Sequence, residues 1–378
     1  MAEDDRLTDQ REATAKPVER LSETSGGSAF SPWAASRAAR SPRGQRWHGR
    51  SDTYAALDLG TNNCRLLIAH PAHEGFRVVD AFSRIVRLGE GLGHGNRLSA
   101  GAIERTVDAL QVCRDKMAAK RVGRARLVAT EACRLAENGS DFIERVRVDL
   151  DLDLEVVDRR TEAYLAVTGC ASLADPKAQS VIVFDIGGGS TEIAWLDGPR
   201  DGMFADPCKR IRAWDSLPVG VVTLAERHGG VDVTPELFEG MVEEVSELLL
   251  DFALIAAAAE RAPGFHLLGT SGTVTTVGGI HLGLPRYDRR RVDGLWMQDG
   301  DISAVVDRLV ETSFDQRAAN PCIGKERADL VLAGCAILEA IRRAFPSERL
   351  RIADRGLREG ILMNMMREDQ VWRRGPPR

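Results

Sequence analysis

VFDIGGGSTEIAW, residues 183–195, reads as an apolar strand that closes on an aspartate, a turn of small residues and a returning strand. ALDLGTNNCRLLI, residues 56–68, has the same grammar: strand, Asp, apolar residue, Gly, small polar turn, strand. Asp58 and Asp185 hold matching places, and 185 − 58 gives a spacing of 127 residues. That is about one domain length, so the pattern reads as a duplicated domain and not as a short array. Each turn suits an anion. Glycines let backbone N–H groups approach without Cβ clashes, and successive amides in a turn form a nest for phosphate. An Asp at each strand end can hold Mg²⁺, which keeps much of its water and shares phosphate oxygens with one or two carboxylates. Two such hairpins facing each other would enclose a metal and a phosphate in one cleft.

Working outward, residues 126–130, 154–158 and 349–353 read as further strands, and a helix with Ser99 as N-cap spans 102–119. Thr161 is expected to cap a helix from Glu162 to about Leu173, and Pro235 to open one that reaches about Ala262. Strand 265–268 leads into a third glycine-rich loop, GTSGT at 269–273, and a small-residue helix. A last long helix is expected over 326–345. Strands alternating with helices place the chain in the α/β class.

A length of 378 residues suits two domains, and 43% hydrophobic residues suffice for two cores. The net charge of −5 offers no general attraction to nucleic acid, so none is expected as a partner, and any polyanion must meet a local basic groove. Arg289, Arg290 and Arg291, or Lys209, Arg210 and Arg212, either line such a groove or sit in solvated loops. Seven scattered Cys without a C-x-x-C pair argue for free thiols in a reducing compartment. No apolar run reaches the ~18 residues of a membrane span and no secretory signal is visible, so a cytoplasmic protein without membrane contact is expected. Residues 1–51 read as a tail, acidic at Glu3, Asp4, Asp5 and Asp9 and basic from Arg37 to Arg50. It is either a solvated arm or a weak polyanion-binding one.

The three glycine-rich segments together resemble the exopolyphosphatase / guanosine pentaphosphate phosphatase (Ppx/GppA) family of the actin-like ATPase superfamily. VRLGEGL (86–92), VATEACRLAEN (128–138), RRTEAYLAVTG (159–169), LPVGVVTLAER (217–227) and ADRGLREGIL (353–362) extend the likeness from residue 54 to about 366. The resemblance implies two ribonuclease-H-like domains facing a central cleft. The first would span 52–158, completed by a C-terminal helix at 356–372, and the second 159–355. It also implies release of terminal phosphate from polyphosphate or pppGpp with Mg²⁺, or Mn²⁺ as the alternative ion, in a protein that works as a homodimer. A non-catalytic sensor of guanosine tetra- or pentaphosphate and a kinase of the same superfamily are the rival readings.

Residue by residue, Glu162 matches the glutamate that the family uses to activate water, although a first-turn acid also favours a helix dipole by roughly 0.3–1 kcal/mol. Asp58, Asp185 and Glu192 match acidic residues linked to the metal. Gly187, Gly188, Gly189, Ser190 and Thr191 match the phosphate loop, and Arg134 a phosphate-facing arginine. The first loop, Gly60, Thr61 and Asn62, departs from the family's usual G-S-N-S, because Asn63 replaces the second hydroxyl. Gly269, Thr270, Ser271, Gly272 and Thr273 form the third loop. The role of Asp354–Gly360 does not follow from the residues themselves.

Overall fold

A computed structural model describes residues 52–73, 75–198 and 206–372. The tail expected over 1–51 lies outside them. The first half contains β1 (Tyr54–Leu59), β2 (Asn63–Pro71), β3 (Phe76–Ile85), the helical turn α1 (Leu92–Gly95), α2 (Ala100–Ala119), β4 (Arg124–Ala129), α3 (Glu131–Leu135), α4 (Gly139–Leu150) and β5 (Leu154–Val156). The second begins with α5 (Arg159–Cys170), β6 (Ser180–Ile186), β7 (Thr191–Asp197), β8 (Ile211–Leu217), α6 (Val221–His228) and α7 (Pro235–Ala256). It continues through β9 (His266–Thr270), α8 (Gly272–His281), α9 (Arg289–Val292), β10 (Trp296–Gln298), α10 (Asp299–Val310), α11 (Phe314–Ala319), α12 (Val331–Ala344), β11 (Arg349–Ala353) and α13 (Leu357–Glu368).

The strand orders repeat. One sheet runs β3-β2-β1-β4-β5 and the other β10-β11-β9-β6-β7-β8. In each, an antiparallel three-strand meander is extended by parallel strands that helices deliver: β4 pairs parallel to β1, and β9 parallel to β6. The only element without a counterpart among the described strands is the short antiparallel β10 at the sheet edge. The duplication expected from Asp58 and Asp185 is therefore a duplication of topology, in an α/β protein with two mixed sheets. Each parallel first strand is buried on both faces, which is why 54–59 and 180–186 read as nearly continuous apolar runs.

Three helix boundaries differ from expectation. The helix carrying Glu162 starts earlier: Asp158, not Thr161, is its N-cap, its side chain accepting from the Thr161 N–H. Helix α7 ends at Ala256 because the chain then turns toward Pro263 and Gly264. The helix expected from 326 starts at Val331, after a single 3₁₀ turn at Lys325–Arg327.

Helix α13 returns from the second sheet to pack on the first. Leu357, Ile361, Leu362, Met365 and Met366 share a core with Tyr54, Ala56 and Leu67 of the first sheet and with Leu165 of α5. Helices α5 and α13 meet backbone to backbone: a Cβ on Gly360 would lie 2.0 Å from the Leu165 carbonyl oxygen.

Candidate active site

The β1–β2 and β6–β7 turns are built alike. The Gly60 N–H donates to the Asn63 carbonyl and the Gly187 N–H to the Ser190 carbonyl, both at 2.9 Å. The two turns touch: a Cβ on Gly188 would lie 2.9 Å from the Thr61 Cβ and 3.2 Å from the Asn62 nitrogen. Together they floor a cleft whose wall includes Asp58, Glu131, Glu162, Asp185 and Glu192. The cross-strand register places Asp185 opposite Glu192 and Asp58 opposite Arg65.

Glu162 stands in the first turn of α5 and looks into this cleft. Its Oε2 accepts a 2.8 Å hydrogen bond from the Arg134 guanidinium. Burial, then the negative charge of Glu192, push its carboxyl well above the usual range, and Arg134 opposes them. Arg134 itself does not line the cleft, contrary to the expected phosphate-facing role. Its fork is occupied by Glu131 at 2.6 Å, the Val157 carbonyl at 2.6 Å and Glu162. Glu131 is 2% exposed and also accepts from Arg159 at 2.5 Å. Burial works against its charge, yet Arg159 and Arg134 hold its carboxyl below the usual value.

The remaining acids repel one another. Burial, and then Asp58 and Glu162, raise Asp185 to about 7. Burial and Asp185 raise Glu192 to about 7, although the Ser190 and Ser216 hydroxyls donate to it at 2.8 and 2.9 Å. Burial raises Asp58 too, with Arg65 and Arg358 opposing. Among the described residues no three carboxylates, imidazoles or thiolates are gathered as a ready-made metal cage. The donor set still fits Mg²⁺, a hard ion that takes one or two carboxylates and completes its shell with water and phosphate oxygens. Mutually repelling, buried carboxylates are what such a cation would relieve.

The third loop divides. Ser271, Gly272 and Thr273 line the cleft, whereas Gly269 and Thr270 belong to β9. The Thr270 hydroxyl donates to the Arg355 carbonyl instead. Thr191 likewise turns away, its hydroxyl donating to the Val219 carbonyl. Ser271 has φ 150° and ψ 173°, a region populated almost only by glycine, which costs roughly 1–3 kcal/mol and concentrates at functional sites. Its hydroxyl caps α8 through the Val274 N–H. Glu131, Arg65 and Arg327 line the cleft and escaped the sequence reading. Arg65 and Arg327 both reach the third loop: a Cβ on Gly272 would lie 3.9 Å from one guanidinium and 3.8 Å from the other. Conversely, three of the six basic residues considered for a polyanion route have protein partners. Arg289 binds Glu359 and the Asp354 carbonyl, Arg210 the Asp197 carbonyl, and Arg212 the Asp197 carboxylate. All seven Cys are buried and free, and among the described residues no helix is long and apolar enough to cross a membrane.

The sequence profile of the Ppx/GppA phosphatase family matches residues 67–369. The chain belongs to that family. Solved structures agree with this placement of a Ppx/GppA chain on the actin-like fold. A family member from Aquifex aeolicus is 27% identical, with TM-score 0.67, over 84% of this chain and 98% of its own. An exopolyphosphatase-like protein is 30% identical, with TM-score 0.73, over 84% and 99%. An exopolyphosphatase from Cytophaga hutchinsonii, 22% identical over 84% and 98%, shares the fold with TM-score 0.74. As a Ppx/GppA phosphatase the chain is a phosphohydrolase.

Proposed function

We propose that this phosphohydrolase removes the terminal phosphate of inorganic polyphosphate, of pppGpp, or of both, with Mg²⁺. The observation that carries the reading is Glu162: a buried carboxylate of raised proton affinity, held by Arg134, facing the floor made by the two turns. A general base gains from a pKa above the ordinary carboxylate range, and burial raises this one. The Glu162 carboxylate takes a proton from water. The water oxygen forms a bond to the terminal phosphorus while the bond from phosphorus to the bridging oxygen breaks in line, and the electron pair leaves with the shortened chain. The amides of residues 61–62 and 188–190 face the transferring group, and Arg65 and Arg327 hold the following phosphates at the third loop. Asp58, Asp185 and Glu192 would hold Mg²⁺, whose part is to offset charge on the phosphoryl oxygens. The likeness to exopolyphosphatases supports a polymer as one substrate. The test is orthophosphate release from polyphosphate and from pppGpp, with Mg²⁺ and with EDTA. Release from neither substrate in Mg²⁺ or Mn²⁺ would refute the proposal.

A further inference from the structure

A second cavity lies behind Glu162. It is lined by Arg134, Asp158, Arg159, Arg160 and Trp214, and it shares Glu131 with the catalytic cleft. Its volume is about 440 Å³, enough for a hydrated oxyanion. Three guanidinium groups face two carboxylates there, and both Glu131 oxygens are already taken by Arg134 and Arg159. Arg160 lies over the Tyr164 ring at 5.4 Å, and that ring packs 6.4 Å from Trp214. The partition between the two cavities is thus one residue thick, an Arg134–Glu131–Arg159 bridge attached to the base itself.

We propose that this cavity is an exit site for orthophosphate. The inference rests on the reaction proposed above. In an in-line displacement the base and its water lie on one side of the phosphorus and the leaving chain on the other. The new phosphate therefore sits between Glu162 and the shortened polymer. The polymer fills the side of the third loop, Arg65 and Arg327. The remaining way out is past Glu162, where Arg134 can exchange Glu131 for a phosphate oxygen and hand the ion to Arg159 and Arg160. Release on this side leaves the polymer in place for the next turnover.

Arg160→Glu tests the site, with the milder Arg160→Ala beside it and Arg147→Glu as a control for net charge, since Arg147 pairs with Glu144 on an exposed face. Two readouts separate exit from chemistry. Acid-quenched single turnovers count all phosphate formed, and a fluorescent phosphate sensor counts phosphate in solution. Arg160→Glu should form phosphate at the wild-type rate but release it at least about tenfold more slowly, from the loss of one charge-assisted hydrogen bond and the carboxylate put in its place. Equal rates of formation and release in the variant would overturn the exit site, as would an equal fall in both. Binding is read without turnover by titrating inorganic phosphate against Trp214 emission, taken as the difference from Trp214→Phe. A saturable change that weakens about tenfold in Arg160→Glu supports the site. A change that long polyphosphate produces at lower concentration than orthophosphate would make the cavity a polymer subsite and overturn the exit role. If wild-type protein hydrolyses neither substrate, the proposed reaction fails, while the Trp214 titration still reports whether the cavity takes an oxyanion.

Discussion

Glu162→Gln should move activity and stability in opposite directions. The substitution keeps the volume of the side chain and removes its charge. Loss of a general base lowers the rate typically 10²–10⁴-fold, about 3–5 kcal/mol of transition-state stabilisation. The stability side follows from the site's electrostatics. The folded protein holds the Glu162 carboxyl above its ordinary 4.5, with burial first and Glu192 second among the causes. An acid of raised pKa favours the fold while protonated, and that contribution is lost as pH climbs from 4.5 toward the folded value. Glutamine resembles the protonated form at every pH. Arg134 loses one partner but keeps Glu131 and the Val157 carbonyl. The variant should therefore be more stable than wild type at pH 8, and the difference should shrink toward pH 4. Urea unfolding across that range, with EDTA present so that no bound cation masks the repulsion, measures it beside phosphate release. Turnover within threefold of wild type would refute the assignment of the base. A variant less stable at pH 8 would show that the Arg134–Glu162 pair outweighs burial.

Asp185→Asn should raise the Mg²⁺ concentration needed for half-maximal activity, and an unchanged Mg²⁺ titration would remove Asp185 from the metal site. Burial lowers the pKa of His266 from 6.5 to about 4, against the opposing effect of the Gly264 carbonyl that accepts from its Nδ1, and its Nε2 accepts the Asp175 N–H. Stability should fall by about 3 kcal/mol as pH drops through that window, and His266→Gln should flatten the fall in urea unfolding. A Cβ on Gly220 would lie 2.4 Å from the Gly188 carbonyl carbon, so Gly220→Ala should displace the second turn and cut phosphate release about tenfold or more; a fully active variant would refute that packing. Arg87, at φ 47°, forks onto Asp329 across the mouth of the cleft at 2.8 and 2.9 Å. Arg87→Gly keeps that backbone and removes the clasp, so small-angle scattering should show a larger radius of gyration, and an unchanged radius with unchanged KM would contradict the clasp.

What the sequence disclosed was local. Each hairpin carries its strand, aspartate and turn within thirteen consecutive residues, and both turns formed as read. Arg65 was within reach by the same reasoning: it stands seven residues after Asp58, as Glu192 stands seven after Asp185, so aligning the two copies places it on the cleft wall. Glu131 and Arg327 were not within reach, because nothing near them in the chain distinguishes a cleft residue from a helix-terminal charge. The same holds for the Asp354–Gly360 segment. Its partners are Tyr287, Arg289 and Asp293, more than sixty residues earlier. The fork of Arg134 points at Glu131, Glu162 and the Val157 carbonyl, a direction that a motif, which fixes only a neighbourhood, does not carry.

The position of Glu162 on α5 has a structural consequence. The chain passes from the first sheet to the second at residues 157–159 and returns at 353–357, and both passages end in helices that pack on each other. A Cβ on Gly169 would lie 2.0 Å from the Gly356 carbonyl oxygen, so the start of α13 and the end of α5 are in backbone contact. Glu359 is fixed there by Arg289 at 2.8 Å and by the Gly356 N–H at 3.0 Å. Across the cleft mouth the first half is tied to the second by Arg87–Asp329 and by the Gly91 N–H on Glu226 at 2.8 Å. The Val86 and Arg87 N–H groups in turn bond the carbonyl of Asn62 in the first turn. Glu162 thus stands on a helix at the crossover between the two halves, and the first turn is braced by the segment that reaches across to the second half.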